Sequence, residues 1–300
     1  MMKFTSLRFL RQTIVFFVFL NFGACATTQG VFEKAVEGES EFIDLSHHLG
    51  KSTPPTMEGV RYKAQAIGHM TERGVPLHKL ELAEDMGTHI EAPARLVSTN
   101  VSVDDLPLGL LMGYGVVIDV TEDVQENAAY TVTRERIEQW ESDYGPIPAE
   151  SILLFRTGWS AKWGTPAYFG MDADGIPHFP GISAEAIDFL VRERRVHALG
   201  IDTASIYAGS GNETGQKTFL MAGRYHINNL TNLDRLPPTG SFVVASPLAL
   251  EDAGSAPARV LAIIPREPSD VEPGKKKVEQ ETETGMGQQG AGGMGGMGGY

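Results

Sequence analysis

The chain has 300 residues, 42% of them hydrophobic, and a formal net charge of −13. This length is enough for one domain with a sizeable core. The acidic balance, without a basic stripe, argues against nucleic-acid binding and mainly favours solubility.

The first residues are predicted to be an export signal. Lys3, Arg8 and Arg11 give a positive start, and Thr13–Leu20 is a short apolar run that small residues follow. The run is too short to span a bilayer comfortably, which favours a cleaved signal peptide. A membrane anchor that stays attached is the alternative.

Cys25, the only cysteine, lies at the end of this signal. Phe22-Gly23-Ala24-Cys25 resembles the cleavage box of bacterial lipoproteins, which implies a diacylglyceryl group on Cys25. Ordinary cleavage after Ala26 is the alternative. Both interpretations predict an exported protein of the bacterial cell envelope, at a lipid-anchored membrane surface or in the periplasm. A lone thiol excludes a disulfide within one mature chain, so the core must supply the stability.

The stretch Asp85-Met86-Gly87-Thr88-His89-Ile90-Glu91 alternates residues of the metal-ligand type. In an extended segment Asp85, His89 and Glu91 point to one face and can converge, with Gly87 leaving room between them. A strand or tight loop presents metal ligands in this way. A loop of solvated acids beside an ordinary histidine is the alternative. His226 is interpreted as a satisfied or surface histidine rather than a ligand.

The middle of the chain predicts a mixed α/β class in which strands dominate. One helix begins near Thr133 and carries Ile137, Trp140 and Tyr144 on one face, which is interpreted as core. Another begins at Ser183, a residue type that caps helix N-termini, and buries Ile187. The predicted strands are the β-branched runs Val116–Val120, Ile152–Arg156, Val196–Asp202, Phe242–Ala245 and Val260–Ile264.

Composition divides the chain into four segments. Residues 1–24 are the lipoprotein-type signal, 25–40 a linker and 41–265 the folded domain. Residues 266–300 form a tail that passes from charged residues into Gly, Gln and Met, with almost nothing to bury. Such a tail is predicted to be disordered.

The segments taken together resemble the cyclase family of metal-dependent hydrolases, which includes bacterial kynurenine formamidases and isatin hydrolases. The resemblance runs from about Ile43 to Ile264, with its motifs in the family's order. It implies a cyclase-like fold, a partly open mixed β-barrel or sheet flanked by helices, and a homodimer. The segments that carry it include Ile43–His47, Leu154–Trp159, Phe179–Ser183, Gly200–Ile206, Asn229–Leu233 and Ala256–Val260.

The family signature HxGTHxDxPxH, which holds one or two divalent ions, is matched only in part. Asp85 takes the place of the first His, and His89 is kept. Glu91 replaces the Asp, and Arg95 replaces the third His. Arginine stays protonated, so Arg95 can clamp a substrate carboxylate. It can equally lie between Asp85 and Glu91 in place of the missing cation.

Two further family ligands lie downstream. The resemblance places the His near Gln216 and the Glu of an E-N-L run on Asn228. It thereby implies an oxygen-rich metal set of Asp85, His89, Glu91, Gln216 and Asn228, which favours harder ions. The expected cofactor is a divalent metal, Mn, Zn or Mg, if the site is active, and none if it is not.

Two functions remain open. The first is an arylformamidase-like enzyme of kynurenine-pathway type, in which a metal-activated water attacks a formamide or cyclic amide. Arg95 and Glu91 would be its catalytic residues. The second is an inactive family member that serves as a ligand-binding or scaffold lipoprotein. The expected partners are a small anionic or aromatic amide, the membrane through a lipid on Cys25, and a second copy of the chain.

Overall fold

The computed structural model describes residues 33–56, 59–67, 77–209, 211 and 213–266. The predicted export signal, the lipidation of Cys25 and nearly all of the predicted tail lie outside these residues. None of the helices in the described ranges has the length and apolar character needed to cross a membrane.

The β-structure is a mixed sheet, most of which closes into a barrel. The strands are β1 (Ser40–Asp44), β2 (Lys63–Ala66), β3 (His78–Glu81), β4 (His89–Glu91), β5 (Met112–Asp119), β6 (Thr131–Val132), β7 (Ile152–Arg156), β8 (Gly181–Ile182), β9 (Ala198–Ile201), β10 (Tyr225–Asn228), β11 (Ser241–Pro247) and β12 (Ser255–Pro265). The large sheet runs β1-β12-β11-β5-β7-β9-β10-β4. Because β4 also pairs with β12, seven of these strands form a closed ring. The predicted strand-dominated α/β class is confirmed, and the barrel is closed where a partly open one was expected.

The helices are α1 (Thr121–Glu126), α2 (Arg134–Tyr144), α3 (Ala184–Phe189) and α4 (Thr214–Met221), and a π-helical turn, Leu190–Arg194, continues α3. Both predicted helices are confirmed at the expected caps. The Thr133 side chain accepts a hydrogen bond from the Arg136 amide, and Ser183 accepts one from Ala186. These bonds satisfy amides that the first turn leaves without partners.

The alternation of side chains along the central strands creates two cores. Val116, Leu153 and Leu199 face the helices, where they pack in one cluster with Trp140 and Ile187. The intervening residues, among them Val117, Leu154 and Ala198, belong to a second cluster with apolar residues of β4, β11 and β12. Strands buried on both faces carry nearly continuous apolar runs, which is why these were visible in the sequence.

Several elements were not predicted. The strands β4 and β10 are only three and four residues long and carry His, Glu and Asn beside their apolar residues. The predicted strand Val196–Asp202 is observed, but it is shorter than expected and spans Ala198–Ile201.

Strand β4 leads into a 3₁₀ turn, Pro93–Arg95, and this turn sets the position of Arg95.

Candidate functional site

The site is built where two short strands meet side by side. Strands β4 and β10 pair antiparallel, with His89 opposite Asn228 and Glu91 opposite His226. Directly opposed residues on one face of a sheet are close enough for their side chains to interact. The pairing therefore brings four polar side chains together, and all four are buried.

The Gly-Thr turn before β4 fixes the ring of His89. Gly87 has a φ of 72°, a conformation that glycine adopts without strain. Its carbonyl accepts hydrogen bonds from His89 Nδ1 at 2.9 Å and from Asn229 Nδ2 at 2.6 Å. Thr88 Oγ1 donates to the Asn229 carbonyl at 2.6 Å. Because Nδ1 carries the proton, Nε2 of His89 presents a lone pair to the site.

Two amide side chains link the histidines to Glu91. Asn228 Nδ2 donates to His89 Nε2 at 3.2 Å and to Glu91 Oε1 at 3.3 Å. Gln216, from α4, donates from Nε2 to Glu91 Oε2 at 2.7 Å and to His226 Nε2 at 3.2 Å. His226 Nδ1 donates in turn to Asn228 Oδ1 at 3.2 Å. Each amide nitrogen has two hydrogens and two acceptors, so the network is complete.

The charges in the network are held by Glu91 and Arg95. Burial by itself raises the pKa of Glu91, but His226, His89 and Arg95 more than offset it, so the pKa lies below its ordinary value. Burial lowers the pKa of His226, against the attraction of the Glu91 carboxylate. Arg95 is the neighbour of Glu91 that keeps its positive charge at every pH, because a guanidinium is not deprotonated in proteins.

The expected convergence of Asp85, His89 and Glu91 on one point is not observed. Asp85 pairs with Arg95 instead, Nη2 to Oδ2 at 3.4 Å. Across the described residues, no three His, Cys, Asp or Glu side chains are grouped so as to hold a metal ion. Gln216 and Asn228 do lie at the site, but with their N–H groups toward Glu91. This donor set does not fit the divalent ion that the resemblance implies.

His226 is the functional-site residue that sequence reasoning missed. Of the two alternatives, a surface histidine is excluded because His226 is fully buried, and a satisfied one is observed because both ring nitrogens are hydrogen-bonded. What sequence reasoning missed is that the ring faces Glu91. The signal was the alternation in Tyr225-His226-Ile227-Asn228, which puts His226 on the same face as Asn228. It was not used because a four-residue run with two polar members does not stand out as a strand.

A cavity of about 390 Å³ opens onto this network. Trp163 stacks on His47 with ring centroids 4.0 Å apart, and Tyr168 meets Trp163 edge to face at 5.0 Å. The residues that give the cavity its chemistry are Glu91, Arg95, Trp163, Tyr168, Phe169 and Tyr207. Aromatic walls and one guanidinium suit a small planar ligand that carries a carbonyl or carboxylate.

Comparison with known proteins gives a consistent set of relatives. The Cyclase family model matches residues 43–208. The chain is 27% identical to isatin hydrolase of Roseibium aggregatum, over 81% of this chain and 99% of that protein. It is 26% identical to kynurenine formamidase of Bacillus cereus, over 74% of this chain and 97% of that protein. By these names, one relative hydrolyses isatin and the other is a formamidase.

Solved structures of similar fold include members named for the same kind of reaction. Isatin hydrolase A from Labrenzia aggregata, bound to benzyl benzoate, superposes with a TM-score of 0.73 at 33% identity, covering 79% of this chain and 98% of that one. A structure described as a potential metal-dependent hydrolase with cyclase activity has a TM-score of 0.59 at 23% identity, covering 76% and 100%. The second likeness supports the fold alone.

Proposed function

The chain belongs to the cyclase family, and from that premise we propose that it hydrolyses the amide bond of a small aromatic compound, a cyclic amide or a formamide. The curated relatives named for such reactions are covered over nearly their whole length. The observation that carries the proposal is the cavity itself, which brings His89, Glu91 and Arg95 against an aromatic wall.

The chain's own residues supply binding and charge. Trp163 and Tyr168 are placed to pack against an aromatic ring. Arg95 can donate to an oxygen on which negative charge develops, since its guanidinium keeps its proton. Glu91 is the carboxylate on the cavity wall that can accept a proton. A carboxylate with a lowered pKa is a weak general base, so we expect slow turnover.

The test is product formation from isatin and from an N-formylated aromatic amine, using the full chain. Each assay is run with a chelator and with added Mn²⁺, so that a negative result does not depend on ion supply. We expect turnover that Glu91→Gln and Arg95→Leu reduce at least tenfold, about the effect of one lost transition-state contact. His78→Ala, on the exposed strand β3, is the matched control. Failure of every substrate under both conditions would reject the proposal.

A second candidate is binding without turnover, and the position of Arg95 favours it. A cation that already neutralises Glu91 and Asp85 leaves an aromatic cavity suited to holding an anion. Calorimetry with isatin and with its ring-opened carboxylate separates the two functions. Tight binding of the carboxylate, lost in Arg95→Leu and without any conversion of isatin, would favour this candidate over hydrolysis.

We further propose that Cys25 is lipidated, that the protein lies in the cell envelope and that it forms a homodimer. The export pattern and the family resemblance support these statements. The mass of the mature N-terminal peptide tests the first, and light scattering of the purified chain tests the last.

A further inference from the structure

The guanidinium of Arg95 lies among three carboxylates. Its Nη1 is 3.6 Å from Glu84 Oε1, its Nη2 is 3.4 Å from Asp85 Oδ2, and its Nε is 3.8 Å from Glu91 Oε2. Each nitrogen of the fork therefore faces a different acid. A planar cation with donors in several directions can neutralise such a cluster, as a bound metal ion would.

The fold builds this position rather than leaving it to a free side chain. Arg95 ends the 3₁₀ turn, which has Pro93 in its first positions. Its amide donates to the Ala92 carbonyl at 2.9 Å. Gly254 packs against the same backbone so closely that a Cβ there would come within 2.7 Å of the Arg95 Cα. The backbone around it thus fixes the origin of the side chain at the rim of the cavity.

The amides next to Glu91 are oriented against a metal ion. Asn228 and Gln216 direct all four of their N–H bonds at lone pairs of Glu91, His89 and His226. These are the lone pairs that a metal ion would need. To admit an ion, both amides would have to turn over and Arg95 would have to leave.

We propose that this site is metal-free, and that the Arg95 guanidinium permanently takes the place of the family's divalent ion. The proposal goes beyond the hydrolase assignment and does not rest on it, because metal content and thermal stability measure it directly. The proposal predicts what happens when the Arg95 guanidinium is removed. Without Arg95 the carboxylates of Asp85 and Glu91 lack a counter-charge, and a divalent ion becomes the available substitute.

The experiment measures metal content by mass spectrometry and melting temperature in excess Mn²⁺, with Zn²⁺ in a parallel series. For the full wild-type chain we expect substoichiometric metal after dialysis and a shift of less than about one degree, because an ion stabilises only a state that binds it. For Arg95→Leu we expect a lower melting temperature that Mn²⁺ raises by several degrees. Arg95→Lys, which keeps a cation, should stay insensitive to Mn²⁺.

Arg156→Leu is the matched control, since the Arg156 side chain has the same 34% exposure as that of Arg95. Its Nη1 lies 2.6 Å from Asp119 Oδ2, in an ion pair outside the site. It should show no Mn²⁺ effect. One metal ion retained per wild-type chain would overturn the proposal, and so would equal Mn²⁺ stabilisation of wild type and Arg95→Leu. If Arg95→Leu does not fold, the wild-type metal content and the Arg95→Lys response still decide. An absence of amide hydrolysis would leave these readouts unaffected.

Discussion

The side-chain amide of Asn228 keeps a second negative charge out of the buried network around Glu91. Asn228 Nδ2 lies 3.3 Å from Glu91 Oε1, and its two hydrogens are both used. Replacement by Asp would set a second carboxylate against Glu91 in a buried place. We expect Asn228→Asp to lower the free energy of unfolding at pH 7 by about 3–5 kcal/mol, the range for an uncompensated buried charge. Urea unfolding measures this.

Asn100→Asp, at an exposed position, is the control for the same chemical change. It should cost less than about 0.5 kcal/mol, as surface substitutions usually do. If Asn228→Asp is as stable as wild type in a chelator, where divalent ions are removed, another positive group must compensate the new charge. That result would contradict the closed network described for Glu91.

At the residue scale the sequence located the site but not its contacts. The alternation of Asp85, His89 and Glu91 predicted where the chemistry lies, and the family resemblance added Gln216 and Asn228. The resemblance offered a position of Arg95 between Asp85 and Glu91 as one of two alternatives, and the structure has it there. Neither the spacing nor the resemblance decided between the two. Contacts of this kind depend on the path of a turn and on side-chain rotamers, which no spacing rule encodes. His226 was missed because its partner, Glu91, is 135 residues away in the chain.

At the scale of elements, the Gly-Thr turn is the part on which β4 depends. Gly87 has a φ of 72°, and a Cβ there would meet Leu49 Cδ1 at 3.1 Å. Leu49 is partly exposed and can move, so the cost of Gly87→Ala is mainly backbone strain, about 1–2 kcal/mol. The same turn also holds the His89 ring, through the hydrogen bond from Nδ1 to the Gly87 carbonyl. We therefore expect reduced ligand affinity or turnover in addition to the lost stability.

Gly223→Ala separates the two effects. Gly223 has the same φ of 72° and open space where a Cβ would stand. The backbone strain of an alanine at this position should lower stability by a similar amount, whereas binding and turnover stay at wild-type levels. Thermal melts and the isatin assays on both variants give the comparison. Equal functional loss in the two variants would show that the turn at Gly87 has no special role.

The elements that the sequence revealed are those whose pattern is local. The cap at Thr133 and the apolar run Ile152–Arg156 each depend on a few neighbouring residues. Strands β4 and β10 depend instead on what lies beside them. Each is stabilised by partners on both sides, β4 between β10 and β12, and β10 between β9 and β4. Such strands need little propensity of their own, so their sequences carry little signal.

At the scale of the whole molecule, closure of the barrel depends on one long strand. β12 has 11 residues, and it pairs with β4 near its start and with β1 near its end. Its predicted core, Val260–Ile264, covers only the part beside β1 and β11. The residues that close the ring, Ser255–Pro257, contain a proline and gave no strand signal. The resemblance to a family therefore predicted a barrel, but not that it is closed.

Two buried groups should change the free energy of unfolding in opposite directions as the pH falls. Burial raises the pKa of Asp202 to about 6, above its ordinary value near 4. The folded state therefore holds that proton more tightly, and stability rises as the pH falls from 7 toward 4. Burial lowers the pKa of His47 to about 4. Its protonation favours the unfolded state, so this contribution falls over the same range.

Asp202→Asn isolates the first contribution. Asp202 accepts hydrogen bonds from the Thr157 amide and hydroxyl and from the Gly158 amide, so an amide there will cost stability at every pH. The test is therefore the shape of the curve. We expect the difference in unfolding free energy between wild type and Asp202→Asn to grow by about 2 kcal/mol from pH 7 to pH 4. Asp234→Asn, at an exposed position, should run parallel to wild type. Parallel curves for Asp202→Asn would show that Asp202 is ionised at an ordinary pKa in the folded protein, and that its three hydrogen bonds fully compensate its burial.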